Sequence, residues 1–380
     1  MRRRGPRPLG LHLALGSLPP GSLEPPAGAH APLGGAPPGA VPPGAPPDAA
    51  VVAGIAAYRR HPYRRALADP PVLWQSGNAR LLDYGMTRDG RARRASGPAV
   101  LFVPSLVNRA YVLDLAPGRS LLRWLAARRV RPLLLDWGWP DAVERQFTLS
   151  DVVAQRLMPA MAAAGGPVTL AGYCMGGLLA VAAAQLAPER VAALALLATP
   201  WDFHGAAPRS EAMLPYMTAL LAGGTLPIDA LQAFFAMQEP GGVAAKFRAF
   251  AAMDQSSPAA AMFVALEDWL ADGIPLAGPV ARECIAGWYG ANTPMRGQWR
   301  VAGQAIDPAA LRLPTLVVLP ARDRIVPPES ARPLASLIPG ATRLELPLGH
   351  VGMVAGSRAK ALLWPALLGW LRGIGSPMSA

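Results

Sequence analysis

The sequence has 380 residues, 52% of them hydrophobic, and a formal net charge of +12. Its basic residues are almost all scattered arginines, without zinc-ligand spacing or a helix-turn-helix pattern, which argues against a nucleic-acid partner. A basic surface would instead attract an anionic substrate. Two cysteines are too few for a disulfide framework and fit a reducing compartment, so we expect a cytoplasmic protein.

The first 50 residues predict a disordered tail, because proline, glycine and alanine dominate them and large apolar side chains are few. The apolar run after Arg2 to Arg4 is short and interrupted by His12, so it is a poor secretory signal. A longer uncharged stretch, 157–188, contains internal glycines and a proline. It therefore predicts a strand, a turn and a helix rather than a membrane span.

After the tail, short apolar runs alternate with longer helical patterns. Runs of this kind are typical of a parallel sheet that is buried on both faces, so the chain predicts a doubly wound, mostly parallel α/β fold. Strands are predicted at 98–104, 132–136, 167–171, 191–198, 313–320 and 342–347. Helices are predicted at 51–67, 121–128, 150–164, 177–186 and 359–371.

The pattern changes over 199–310, which is methionine-rich and mainly helical in its spacing. We interpret this stretch as a helical cap inserted into the sheet domain. The predicted organisation is therefore a tail over 1–50, a first core segment over 51–198, the cap over 199–310, and a second core segment over 311–380.

The strongest chemical signal is the hexapeptide Gly-Tyr-Cys-Met-Gly-Gly at 172–177, which follows one predicted strand and precedes a predicted helix. This is the nucleophile-elbow pattern of the α/β-hydrolase fold, with Cys174 in place of the usual serine. The following helix points its N-terminus at the sulfur, which favours the thiolate. Cysteine is ordinarily a small buried apolar residue, and we expect that simpler role for Cys284.

An oxyanion formed during acyl transfer needs two backbone donors in this fold. We expect the first to be the N–H of Met175, directly after the nucleophile. The second should come from the loop that follows the strand at 98–104, at Ser105 or Leu106.

The base and the acid should follow the nucleophile in the order acid, then histidine. Of five histidines, His350 alone lies beyond the last predicted strand, which makes it the candidate base. Asp323 follows the strand at 313–320 and is the candidate for orienting it. The sequence therefore predicts a triad of Cys174, Asp323 and His350.

These residues resemble the polyhydroxyalkanoate synthases, bacterial enzymes that polymerise 3-hydroxyacyl-CoA into a storage polyester. The resemblance spans about 69–371 and rests on the cysteine motif together with the segments at 104–115, 136–141, 199–203 and 323–327. Two of these segments, 136–141 and 199–203, are similar to those of the short, two-component (class III) synthases.

The resemblance implies transfer of (R)-3-hydroxyacyl groups from CoA thioesters to a growing polyester, through a thioester on Cys174. It implies no metal or redox cofactor, since CoA enters as part of the substrate. The partners it implies are the polyester chain or granule surface and a second synthase subunit, and it leaves a homodimer open. The protein would then be cytoplasmic and associated with granules.

Two alternatives stay open, because Arg324 stands where the family usually has histidine and Leu348 where it has serine. One is a cysteine-type hydrolase, either an intracellular polyhydroxyalkanoate depolymerase or an acyl-CoA thioesterase, with water as the acceptor. The other is a non-catalytic granule-associated homologue. The intact Cys174, Asp323 and His350 argue against the second alternative.

Overall fold

A computed structural model describes residue 3 and residues 5–17, 48–86, 97–205, 214–237 and 240–374. The chain divides into two units. The smaller unit is made of Met1–Arg65 and Asp229–Gly273, and the larger unit of Ala66–Ile228 and Ile274–Ala380.

An eight-stranded sheet lies at the centre of the larger unit. Its strands in chain order are β1 (Val72–Ser76), β2 (Ala79–Asp83), β3 (Ala99–Val103), β4 (Arg131–Asp136), β5 (Val168–Tyr173), β6 (Val191–Leu197), β7 (Thr315–Pro320) and β8 (Thr342–Leu346). Their spatial order is β1-β2-β4-β3-β5-β6-β7-β8. The pairings from β4 to β8 are parallel, whereas β2 runs antiparallel to both of its neighbours.

The predicted α/β-hydrolase architecture is confirmed, and β3 to β8 each coincide with a predicted strand to within a few residues. The interior strand β5 is buried along its whole length, as its continuous apolar run predicts. The edge hairpin of β1 and β2 was not predicted. Polar residues interrupt both of its short strands, and its turn is formed by Gly77 and Asn78.

The α-helices of the described residues are α1 (Leu9–Gly16), α2 (Ala49–Arg60), α3 (Leu121–Ala126), α4 (Leu149–Val152), α5 (Met158–Ala163), α6 (Met175–Leu186), α7 (Leu214–Leu220), α8 (Ile228–Ala236), α9 (Pro240–Ala251), α10 (Pro258–Ala271), α11 (Gly278–Arg282), α12 (Pro328–Leu337), α13 (His350–Ala355) and α14 (Leu363–Gly373). Two π-helical segments, Val153–Leu157 and Glu283–Gly290, continue α4 and α11. None of the helices described for this chain has the length and hydropathy that crossing a bilayer requires.

The smaller unit is a helical cluster built around the close packing of α2 against α9. A Cβ atom on Gly54 would lie 2.0 Å from the Phe247 carbonyl oxygen, so only glycine permits this approach. Tyr58, Phe247 and Phe250 are fully buried at the centre of the cluster.

The prediction of a disordered tail over 1–50 is wrong for part of its length. Residues 9–16 form α1, and Leu9 and Leu13 pack against the core of the smaller unit. The leucine-rich run that makes a poor secretory signal therefore has enough apolar surface to pack against α9 as a helix. The remainder of the predicted tail, 18–47, lies outside the described residues.

The predicted cap over 199–310 also differs from the structure, since only 229–273 of it belongs to the smaller unit. The parts of the predicted cap before and after that range, 199–228 and 274–310, belong to the larger unit, which contains the sheet. The backbone N–H groups of Trp201 and Asp202 both donate to the Ser330 carbonyl oxygen, at 2.9 Å. The Trp299 ring packs edge-on against Trp201, which holds the later part of the predicted cap in place.

Candidate active site

Cys174 lies at the sharp turn between β5 and α6. It has φ +56° and ψ −129°, in the left-handed half of backbone space that side-chain-bearing residues rarely adopt. Two hydrogen bonds of 2.9 Å hold it there, from the Cys174 N–H to the Leu197 carbonyl and from the Gly177 N–H to the Cys174 carbonyl. A strained, partly exposed residue that the surrounding structure fixes firmly is a candidate functional residue.

Three glycines make this turn sterically feasible, as the hexapeptide predicts. A Cβ on Gly172 would lie 2.4 Å from the Cα of Gly177. A Cβ on Gly176 would lie 2.0 Å from the Val103 carbonyl oxygen, and one on Gly177 would lie 1.9 Å from Thr199 Oγ1. The elbow can therefore form only where these side chains are absent.

We expect Gly176→Ala to destabilise the fold by about 3 kcal/mol, because its methyl group would be forced into backbone carbonyls that cannot move aside. Thermal unfolding followed by circular dichroism measures the change. Gly369→Ala is the matched control, since open space surrounds Gly369 within α14 and alanine favours helix there. Equal unfolding temperatures for the two variants would contradict this account of the elbow.

His350 and Asp323 meet at the same edge of the sheet, following β8 and β7. His350 Nδ1 lies 2.6 Å from Asp323 Oδ2, and both side chains are buried. Asp323 Oδ1 accepts hydrogen bonds from the N–H groups of Ile325 and Val326, each at 2.9 Å. One carboxylate oxygen is thus held by the backbone, and the other is left to orient the imidazole.

The imidazole of His350 is also close to the predicted nucleophile. Burial alone lowers the pKa of His350, but the charges of Asp323 and Cys174 and hydrogen bonds to both raise that pKa to about 10. Since Nδ1 faces Asp323, Nε2 is the nitrogen available to Cys174. The Tyr173 ring lies 5.1 Å from the imidazole ring and limits its rotation.

This raised pKa makes stability depend on pH. A group whose pKa is higher in the folded state stabilises fully below its ordinary pKa, 6.5 for His350, and loses that contribution as pH rises through about 10. We therefore expect the unfolding temperature of the native chain to fall more steeply between about pH 7 and pH 10 than that of His350→Gln. Calorimetry at several pH values measures both slopes, and parallel slopes would contradict the prediction.

The loop that follows β3 lies against the first turn of α6, where the second oxyanion donor was expected. A Cβ on Gly176 would be 2.6 Å from the Pro104 carbonyl oxygen, which shows how close the two backbones are. The Ser105 hydroxyl accepts from the Val107 N–H at 3.2 Å, and Leu106 is buried. The roles of Met175, Ser105 and Leu106 as oxyanion donors stay predictions.

A hydrogen-bonded cluster joins two segments 90 residues apart in the chain. Asp202 Oδ1 accepts from Asn292 Nδ2 at 2.8 Å and from the His204 N–H at 2.9 Å. His204 Nε2 lies 2.8 Å from the Tyr289 carbonyl oxygen. Sequence reasoning assigned no role to His204 or Asn292, because spacing alone could not place them together.

Tyr289 lies near Cys174, and sequence reasoning did not identify it as a neighbour of that residue. Desolvation raises the pKa of its hydroxyl, and charge at Cys174 and Cys284 raises it further. The Phe203 ring packs edge-on against it at 5.0 Å. Only its position in the Tyr-Gly-Ala-Asn segment could have drawn attention to it.

Other acids in the synthase-like segments are engaged in ion pairs. Asp114 is fully buried and bonds Arg123 at 2.7 Å, and Asp136 bonds Arg80 at 2.7 Å. Burial raises the pKa of Cys284 well above the usual thiol range, as expected for an inert buried cysteine. Within the described ranges, no group of three or more His, Cys, Asp or Glu side chains is placed to hold a metal ion.

Comparison with known proteins agrees with the α/β-hydrolase fold. The sequence model of the alpha/beta hydrolase fold family matches residues 162–356, just over half of the chain. A thermophilic esterase from Thermogutta terrifontis superimposes with a TM-score of 0.50 at 19% identity, covering 81% of this chain and 99% of the esterase. At that identity the likeness concerns the fold alone.

The proteins similar in sequence point to a narrower group within this fold. The poly(3-hydroxyalkanoate) polymerase subunit PhaC of Haloferax mediterranei is 29% identical over 313 residues, covering 79% of this chain but 63% of the relative's length. PhaC of Allochromatium vinosum is 29% identical over 303 residues, covering 77% of this chain and 85% of that relative. The chain belongs to the α/β hydrolase fold family, and over most of its length it is similar to PhaC subunits of poly(3-hydroxyalkanoate) polymerases.

Proposed function

We propose that this protein is an acyltransferase that moves (R)-3-hydroxyacyl groups from CoA thioesters to a growing polyester. The observation that carries the proposal is that His350, hydrogen-bonded to Asp323 at 2.6 Å, lies beside Cys174, whose backbone is strained. The chain is also similar to PhaC subunits. Cysteine suits this exchange, because the acyl group passes between two sulfurs of similar leaving ability.

The first half of the reaction loads the enzyme. His350 Nε2 accepts the thiol proton of Cys174, and the resulting thiolate attacks the thioester carbonyl carbon. The raised pKa of His350 favours this transfer, because the imidazole holds the proton at neutral pH. The tetrahedral oxyanion is stabilised by backbone donors at Met175 and in the 105–106 loop. The carbon–sulfur bond to CoA then breaks, and CoA leaves with the proton from His350.

The second half transfers the acyl group. His350 removes the proton from the 3-hydroxyl group of the acceptor, and that oxygen attacks the thioester on Cys174. The bond to Cys174 breaks, the thiolate regains its proton from His350, and a new ester bond remains on the acceptor. No cofactor takes part in either half, and the polyester chain is both acceptor and product.

The test is to incubate the purified protein with 3-hydroxybutyryl-CoA and to measure released CoA and the acyl product together. The proposal predicts CoA release accompanied by ester-linked oligomers. CoA release with only free 3-hydroxybutyrate would overturn it in favour of a hydrolase. The same assay also tests for a second subunit. A small helical protein encoded by a neighbouring gene is added, and a higher rate of CoA release would identify it as that subunit.

A further inference from the structure

The loop that follows β6 contacts both the nucleophile elbow and α12, the helix that follows the loop of the candidate acid. At the start of this loop, Thr199 lies against the elbow, since a Cβ on Gly177 would be 1.9 Å from Thr199 Oγ1. Further along, the N–H groups of Trp201 and Asp202 both donate to the carbonyl oxygen of Ser330, in α12. The position of the loop is therefore fixed relative to the candidate active site.

Asp202 and Asn292 join this loop to the residues that follow the π-helical segment after α11. Asp202 Oδ1 accepts from Asn292 Nδ2 at 2.8 Å, and Asn292 Oδ1 accepts from the Phe203 N–H at 3.0 Å. Each end of the Asn292 amide is thus hydrogen-bonded, and the side chain is buried. A buried amide that bonds both a carboxylate and a backbone N–H group fixes the separation of the two segments.

The two joined segments carry aromatic side chains that meet near the nucleophile. Phe203 directly follows Asp202, and Tyr289 lies three residues before Asn292. The two rings pack edge-on, with their centroids 5.0 Å apart. Tyr289 is close enough to Cys174 for charge on the thiol to raise the pKa of the tyrosine hydroxyl. Aromatic rings beside the sulfur occupy space that water would otherwise fill.

We propose that Asp202 and Asn292 are positioning residues, which keep the two aromatic rings beside the acyl group on Cys174 and so slow its loss to water. This inference rests on the proposed function and adds to it a determinant of the acceptor. In hydrolysis, water oxygen bonds to the carbonyl carbon, the carbon–sulfur bond breaks, and one proton of the water passes through His350 to the sulfur. Transfer to polyester requires the thioester to survive until the hydroxyl group of the acceptor reaches it.

Asn292→Asp tests the inference without changing the size of the side chain. It replaces the donor 2.8 Å from Asp202 Oδ1 by a second negative oxygen, and the two carboxylates repel each other. Because loss of a hydrogen bond to a charged group raises the displaced fraction about tenfold or more, we expect the half-life of the 3-hydroxybutyryl group on Cys174 to shorten about tenfold. Mass spectrometry of the protein, after free thioester is removed by rapid desalting, measures this half-life. The ratio of free acid to ester-linked oligomers should rise in parallel.

Asp202→Asn is the conservative variant of the partner residue. An amide oxygen at the Oδ1 position can accept the same three hydrogen bonds, so the half-life should stay within about twofold of the native value. Asp202→Ala should shorten the half-life as Asn292→Asp does. Asn78→Asp is the control for added charge, because it makes the same change in the exposed turn between β1 and β2 and should leave the half-life unaltered.

The outcomes distinguish this inference from a structural role and from the proposed function. A purely structural role would lower the unfolding temperature and the amount of acylated protein without shortening the half-life of the acyl group. Free acid as the sole product of the native chain would overturn the proposed function, whereas a shorter half-life in Asn292→Asp would still support positioning by this pair. Equal half-lives in the native chain, Asn292→Asp and Asp202→Ala would overturn the inference, even if the native chain forms oligomers.

Discussion

Replacement of Cys174 by alanine should reduce CoA release from 3-hydroxybutyryl-CoA by roughly 10⁴- to 10⁶-fold, the loss that follows removal of a covalent nucleophile. Alanine keeps the Cβ atom and removes only the sulfur, so the elbow and its hydrogen bonds should persist. The sulfur of Cys174 is the atom that we expect His350 to deprotonate, and it lies at the N-terminus of α6. Steady-state assay of released CoA, with unfolding temperature as the check on folding, measures the effect.

Cys284→Ala is the matched control for that substitution. The two cysteines are the free thiols of the chain, but Cys284 is buried in the π-helical segment and burial raises its pKa. We expect this variant to keep activity within about threefold of the native chain, since an inert buried thiol contributes packing alone. Loss of turnover in Cys284→Ala, with turnover retained in Cys174→Ala, would exchange the roles of the two cysteines.

Asp323→Asn should reduce kcat by about 10³- to 10⁴-fold, although the side chain keeps its size. The N–H groups of Ile325 and Val326 require an oxygen at the Oδ1 position, so the new amide nitrogen must face His350 Nδ1. The imidazole would then accept at Nδ1 and carry its proton at Nε2. In that tautomer His350 cannot take the proton from Cys174.

The rate of CoA release at neutral pH measures this change, and a pH profile separates an effect of tautomer from one of misfolding. Asp307→Asn is the control, because Asp307 only caps a short helical turn at the surface. We expect the control to behave as the native chain. Full activity in Asp323→Asn would show that Asp323 does not orient the base.

The core of the fold could be predicted from the sequence because buried parallel strands are apolar along their whole length. The strand at 167–171 and the glycine-rich turn after it locate Cys174 without any long-range information. Asp323 and His350 could be chosen because they follow the next-to-last and last strands, and the structure brings them to 2.6 Å. Local pattern and chain order were sufficient to select these three positions, and their catalytic roles stay predictions.

Other features of the fold and of the candidate site depend on contacts between distant segments, which the spacing of residues in the sequence does not reveal. The cluster of Asp202, His204 and Asn292 forms only when distant segments meet. The helix at Leu9–Gly16 was hidden by the proline-rich residues beside it, and its partner α9 lies more than two hundred residues further along the chain. The predicted cap, 199–310, differs from the bounds of the smaller unit, because helical spacing alone does not show which helices pack together.

The most direct test of the central claim is to mix the enzyme rapidly with 3-hydroxybutyryl-CoA, quench in acid, and examine the digested protein by mass spectrometry. We predict one 3-hydroxybutyryl group on the peptide that contains Cys174. The same peptide should be unmodified in Cys174→Ala, and the group should accumulate more slowly in Asp323→Asn. CoA release without acylation of Cys174, at times shorter than one turnover, would contradict a thioester on this cysteine.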